Sequence, residues 1–232
     1  MKKYITLLVL SLGVFILFKA PVSILQKYSP DFSLSGKIIN GSAFNQKIGT
    51  IEFKFNPWYL FYGKLAFNAK VVKGDNFIEL VAGINLFNEV FVENTNGEFD
   101  LKYLQSFKLT QLKNLNLASA KIEIKHLNAL IDDINVKEFA FPAVLDASLS
   151  LYKVNILGDK IGDYNIVATI KESKKFAVIT NSKNSSFDLT AKIEIVDKSA
   201  KITGRIIGLS ENSKNLLTNF NINDKLNYKF DL

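Results

Sequence analysis

The chain has 232 residues, no cysteine, one histidine and a formal charge of +7. The missing cysteines exclude a disulfide framework and thiolate zinc sites, and a lone His126 excludes a histidine-based metal cluster. Without Lys2, Lys3 and Lys19, 26 basic residues face 22 acidic ones, and Arg205 is the only arginine, so the arginine forks of a nucleic-acid reader are missing and no nucleic-acid partner is expected.

Lys2 and Lys3 precede an uncharged, apolar run built from Tyr4, Ile5, Leu7, Leu8, Val9, Leu10, Leu12, Val14, Phe15, Ile16, Leu17 and Phe18. Residues 4–18 as a helix are about 22 Å long, short of the roughly 30 Å hydrocarbon core. A helix continuing past a snorkelling Lys19 toward Leu25 reaches about 32 Å. A secretory signal peptide shares the basic start and apolar run, but Ala20 is paired with Phe18 at the small-residue positions and Pro21 follows directly. The reading is a single membrane anchor over residues 1–25 with Lys2 and Lys3 cytoplasmic. A β-rich domain then occupies residues 26–232 outside the cytoplasm.

Beyond the anchor the dominant period is two. Ile51, Phe53 and Phe55 alternate with polar residues, as do Leu65, Phe67, Ala69 and Val71. The same holds for Phe99, Leu101 and Tyr103, for Ile122 and Ile124, and for Phe187, Leu189, Ala191, Ile193 and Ile195. Ile202, Gly204 and Ile206 continue the series after a turn at 197–199. Such alternation places one face on a core and the other in water. Asn40-Gly41, Gly74-Asp75, Asn96-Gly97 and Gly158-Asp159 read as turns. Short helical spacing occurs at 59–62, 111–117, 126–131 and 212–219. The fold class is mainly β: a meandering, curved antiparallel sheet that forms a half-barrel, a sandwich or an open groove, with a soft subdivision near Pro142.

Chemistry is sparse. His126 reads as a partly exposed residue at the end of the Ile122 strand, and no Gly-x-Ser-x-Gly elbow accompanies it. Asp132-Asp133 are neighbours that point to different faces of any regular element and read as a solvated turn. No catalytic, metal or cofactor residue is assigned, and the protein reads as non-enzymatic. Seven aromatics crowd residues 53–67. Most read as strand core, while Trp58, Tyr59, Phe61 and Tyr62 form a candidate partner or membrane-interface patch.

The order of features resembles the general secretion pathway protein N family of bacterial type II secretion. The resemblance lies in the basic anchor ending near Pro21, in Ser35-Gly36 and Gly41-Ser42, and in the strand from Ile51 to Pro57 followed by Leu60-Phe61-Tyr62-Gly63-Lys64-Leu65. Leu157-Gly158, Gly162-Asp163-Tyr164, Leu189-Thr190-Ala191, Lys201-Ile202-Thr203-Gly204-Arg205 and the terminal Tyr228-Lys229-Phe230 resemble its closing hairpins. The family usually carries tryptophan where Phe53 stands, and its Gly–Thr–x–Trp–x–Gly pattern is reduced here to Gly36 and Gly41.

The resemblance implies an inner-membrane accessory that supports export of folded proteins and contacts other secretion components. The alternative is an AsmA-like groove that binds or transfers lipid, which requires an apolar face wider than a side-chain core. A third reading, a secreted enzyme, requires a processed N-terminus and a polar pocket.

Overall fold

A computed structural model describes residues 19–105, 118–131, 143–156, 159–171, 174–181, 184–196, 199–219 and 224–231. A short 3-10 helix, η1 (Val22–Tyr28), leads into β1 (Ser33–Lys37), β2 (Asn40–Asn45) and β3 (Gly49–Phe55). A second 3-10 helix, η2 (Pro57–Tyr62), precedes β4 (Lys64–Lys73), β5 (Asn76–Asn85) and β6 (Val90–Asp100). The short helix α1 (Leu101–Gln105) follows, then β7 (Ala118–Ile131), β8 (Val144–Ile156), β9 (Asp159–Lys171) and β10 (Lys174–Asn181). The chain ends with β11 (Phe187–Val196), β12 (Ser199–Gly208), α2 (Glu211–Asn219) and β13 (Lys225–Asp231).

All thirteen strands form one sheet in chain order, each antiparallel to the one before it. The sheet is curved and does not close, so β1 and β13 are its edges. Of the three geometries open to the sequence, the sandwich is not formed. Leu130 pairs with Val144, so β7 and β8 are neighbours in this sheet, and Pro142 itself lies outside the described residues.

Register explains why the apolar residues share a face. Ile51, Phe53 and Phe55 stand opposite Val71, Ala69 and Phe67, which in turn oppose Ile78, Leu80 and Ala82. Further along, Ile122 opposes Leu151 and Ile124 opposes Leu149, Leu149 opposes Ile166, and Ala191 opposes both Ile179 and Gly204. The opposite face is largely polar and carries cross-strand pairs such as Lys70 with Glu79 at 2.8 Å and Lys121 with Glu98.

Curvature has identifiable sources. Register shifts interrupt the β5–β6, β7–β8 and β8–β9 ladders, and an extra residue on one strand bends it and raises its twist. Asn94 and Lys153 have left-handed backbones beside two of these shifts, with φ of 52° each. The β5–β6 shift leaves Thr95 4 % exposed, with its Oγ1 buried and unpaired.

Several sequence expectations are revised. Leu101 and Tyr103 do not extend β6; the chain turns into α1 and folds both side chains back onto Phe99, Ile122 and Ile124. The Tyr103 hydroxyl then donates to the Ile48 carbonyl at 2.7 Å, a partner a straight strand would not meet. Residues 126–131 belong to β7 rather than a helix, and His126 lies within that strand. Asn40-Gly41 and Asn96-Gly97 lie inside strands. Gly41 faces Gly36 and supports the Phe53 ring, and a Cβ on Gly97 would lie 2.5 Å from the Phe77 carbonyl oxygen. The first hairpin turns instead at Ile38-Ile39. Gly74-Asp75 is a two-residue turn with Gly74 at φ 59°, as expected, and 212–219 is helical within α2.

The anchor residues Tyr4 to Phe18, with Lys2 and Lys3, lie outside the described residues, as do 111–117, Asp132-Asp133, Gly158 and the turn at 197–198. Among the described residues no helix is long and apolar enough to cross a membrane. The expected continuation to Leu25 is corrected. Pro21 is extended, at φ −70° and ψ 140°, and bridges Lys37, while Ala20 accepts a hydrogen bond from Ile38 N–H at 3.0 Å. Proline disfavours a helical residue before it, and residues 20–28 are built onto the sheet edge.

Replacing Thr95 with valine removes a buried, unpaired hydroxyl while keeping the side-chain shape. It should raise stability by about 1 kcal/mol, or about 2–4 °C in Tm for a chain of this size. Thermal unfolding followed by circular dichroism checks this, and an unchanged or lower Tm counts against it.

Candidate functional site

Two features stand out: the apolar face and one end of the strands. On the apolar face, α1 covers a patch where Leu101 touches two clusters. One contains Phe99, Tyr103, Ile122 and Ile124, and the other Ala120, Val154 and Tyr164. Away from α1, Ile51, Phe53, Phe55, Phe67, Leu80, Ile166 and Ile193 are only half-buried, while Ile179 and Leu189 pack against the Tyr164 cluster. Among the described residues no second sheet or long helix lies over them. The result is an apolar face that, among the described residues, is only partly packed.

Antiparallel order brings the β1–β2, β3–β4 and β5–β6 connections to the same end of the strands. There η2 is locally specified. The Asn56 side chain accepts the Trp58 N–H, Pro57 occupies the first turn, and Gly63 closes it in the left-handed region at φ 67°. The helix presents Trp58 (72 % exposed), Phe61 (82 %) and Tyr62 (79 %), and the Trp58 and Phe61 rings lie 5.9 Å apart.

Tyr59 does not share this exposure and leaves the expected patch. Its ring stacks on buried Phe91 at 5.8 Å, above Ala66, and its hydroxyl accepts from the Asn94 side chain at 3.2 Å. Burial, with Glu93 nearby, raises its pKa. Three residues join the patch that the sequence reading did not place there: Leu60, Leu86 and Phe87. The β5–β6 tip reaches η2, since a Cβ on Gly63 would sit 2.7 Å from the Leu86 side chain. Leu86-Phe87 between Asn85 and Asn88 was the available signal: two apolar residues at a hairpin tip, where polar ones are usual.

Polar recesses exist, and Lys70, Glu79, Lys121 and Asp163 in them are engaged in holding the fold. One of about 480 Å³ lies on the polar face among Glu52, Lys54, Asn68, Lys70 and Glu79. Another, of about 660 Å³, is lined by Lys121, Tyr152, Lys153, Lys160 and Asp163. In the second, the Asp163 carboxylate accepts the Lys153 N–H at 2.8 Å and the Asn184 side-chain amide at 3.2 Å. It thereby supports the irregular turn of β8. His126 Nε2 lies 3.3 Å from Asp146 Oδ2, both on the solvent side. No group of three or more His, Cys, Asp or Glu able to hold a metal occurs among the described residues.

The tyrosines that seal the sheet titrate late. Tyr164 is 4 % exposed and donates to the Ile161 carbonyl at 2.7 Å, and burial pushes its pKa up to about 12. A raised folded pKa means that the folded state holds this proton longer than the unfolded chain. The contribution is complete below about pH 10, the ordinary tyrosine range, and is lost as pH rises through about 12. Tyr164→Phe lacks that dependence. Its Tm deficit relative to the parent protein should therefore shrink as pH rises from 9 to 12, and a constant deficit in parallel melts would refute the assignment.

No protein-family model, curated protein or solved structure matches this chain.

Proposed function

We propose that this is a non-enzymatic, membrane-anchored protein whose open sheet holds acyl chains along its apolar face, with the body on the periplasmic side of a bacterial inner membrane. The observation that carries this reading is the half-buried apolar surface shared by β3 to β12 and left without a second layer among the described residues. Apolar side chains at intermediate exposure leave surface whose removal from water is worth about 25 cal/mol per Å². A lipid tail lying along the sheet would gain that energy without needing a closed pocket. The polar face, laced by Lys70–Glu79 and Lys192–Glu194, keeps the other side wetted.

Participation in type II secretion is the second reading. It is supported by the family-like order of motifs and by one asymmetry of the edges. The outer edge of β1 is occupied: Gln26 Oε1 accepts the Leu34 N–H at 3.1 Å, Gln26 Nε2 donates to the Phe32 carbonyl, and Pro21 bridges Lys37. β13 pairs with β12 on one side and, among the described residues, has no strand on the other. An open edge can accept a strand from a secretion component.

Photoactivatable phospholipid in membranes carrying the full chain should label peptides of β8 to β11. Ile166→Asp with Ile193→Asp should lower that labelling several-fold, while Lys192→Glu on the polar face leaves it unchanged. Equal labelling in both variants would sink the groove reading. For the secretion reading, a photocrosslinker at Asn227 on β13 should capture a secretion-platform protein identified by mass, and one at Ser35 on β1 should not. Equal capture at the two positions removes the edge argument.

A further inference from the structure

We infer that the η2 end of the sheet is a bilayer-insertion surface: Trp58, Leu60, Phe61, Tyr62, Leu86 and Phe87 enter the lipid interface beside the point where the N-terminal run leaves the sheet. The inference rests on the membrane-anchoring part of the proposed function and adds to it a second, independent contact with lipid.

Three observations converge. First, the patch is uncharged and mostly apolar. Residues 55–63 and 84–88 contain no charged side chain, and all six named residues are more than half exposed. Tryptophan and tyrosine are the residues that favour the boundary between hydrocarbon and water.

Second, the chain leaves the sheet at this end. The Ala20 carbonyl accepts from Ile38 N–H at 3.0 Å, and the Ile39 carbonyl accepts from Phe55 N–H at 2.7 Å. Two hydrogen bonds thus link the residue after Lys19 to the strand end from which η2 begins two residues later. Lys19 closes the uncharged run of residues 4–18, and a lysine at the end of such a run sits at the headgroup level. The short path from Ala20 to Phe55 then holds η2 at that same level.

Third, the apolar face of the sheet continues into the patch. Leu65 and Ile84 are paired at this end, share the face of Phe67 and Ala82, and are 51 % and 40 % exposed. Docked this way, the patch would bring the end of the acyl-binding face against the bilayer, so that a lipid could pass between them without crossing water.

Trp58 is the only tryptophan, so its fluorescence reports the patch alone. The full chain is reconstituted into phosphatidylethanolamine–phosphatidylglycerol vesicles, with and without bromine on the acyl chains, and floated on a density gradient. Insertion predicts a blue-shifted Trp58 emission, several-fold weaker quenching by aqueous acrylamide than in the unfolded chain, and strong quenching by the brominated chains. Phe61→Asp with Phe87→Asp, or Phe87→Asp alone if the pair does not fold, should restore acrylamide access while flotation persists. A chain that floats with Trp58 open to acrylamide overturns the inference and leaves the anchor standing. A Trp58 shielded from acrylamide and from bromine alike means that protein, a second copy included, covers the patch, and also overturns it. A chain that fails to float removes both the anchor and the inference.

Discussion

The structure depends on one constraint: thirteen antiparallel strands keep a register that sends most of their apolar side chains to the same face. A slip of one residue in any ladder would carry a whole strand's apolar set to the polar side. Glycines and bulges protect that register. Gly41 opposite Gly36 leaves space for the Phe53 ring, and the shifts near Thr95, Lys125 and Lys153 reset the alternation where the sheet bends. Among the described residues, a single layer held this way has no opposing sheet to bury its apolar face. Its stability comes from neighbouring strands, from α1 and from whatever else lies on that face.

α1 and η2 divide this work between the two ends. α1 folds onto the apolar face and ties it to the β2–β3 turn through Tyr103 and Ile48. η2 turns one aromatic, Tyr59, onto Phe91 on the polar side and leaves Trp58, Phe61 and Tyr62 outward. A five-residue helix and a six-residue one therefore give the sheet a sealed end and an apolar end.

Much of this was legible in the sequence. Alternation at Ile51 to Phe55, Leu65 to Val71 and Phe187 to Ile195 identified β3, β4 and β11 and their buried parity, because a half-buried strand writes its face into every second residue. Leu101 and Tyr103 obeyed the same period and yet lie in a helix; local spacing could not register that a carbonyl at Ile48, far away in sequence, would accept the tyrosine hydroxyl. Asn40-Gly41 and Asn96-Gly97 carried turn chemistry, but their glycines serve close backbone approach inside strands, a requirement that only pairing reveals. In the patch, Trp58, Phe61 and Tyr62 were read from composition. Tyr59 turns inward because its stacking partner is on β6, which local composition does not reveal, and Leu86-Phe87 join only through the β5–β6 tip. Openness of the sheet was beyond the sequence, since closure depends on whether β1 and β13 meet.

The edge asymmetry also limits how copies could assemble. With β1 sealed by Gln26 and the segment from Ala20 to Tyr28, strand pairing between molecules has, among the described residues, only the β13 edge to use. A contact in which the same strand serves both partners is two-fold symmetric and consumes the available edge on each. Strand-to-strand association of this chain would therefore stop at a pair, whereas a ribbon open at both margins could grow into a fibre.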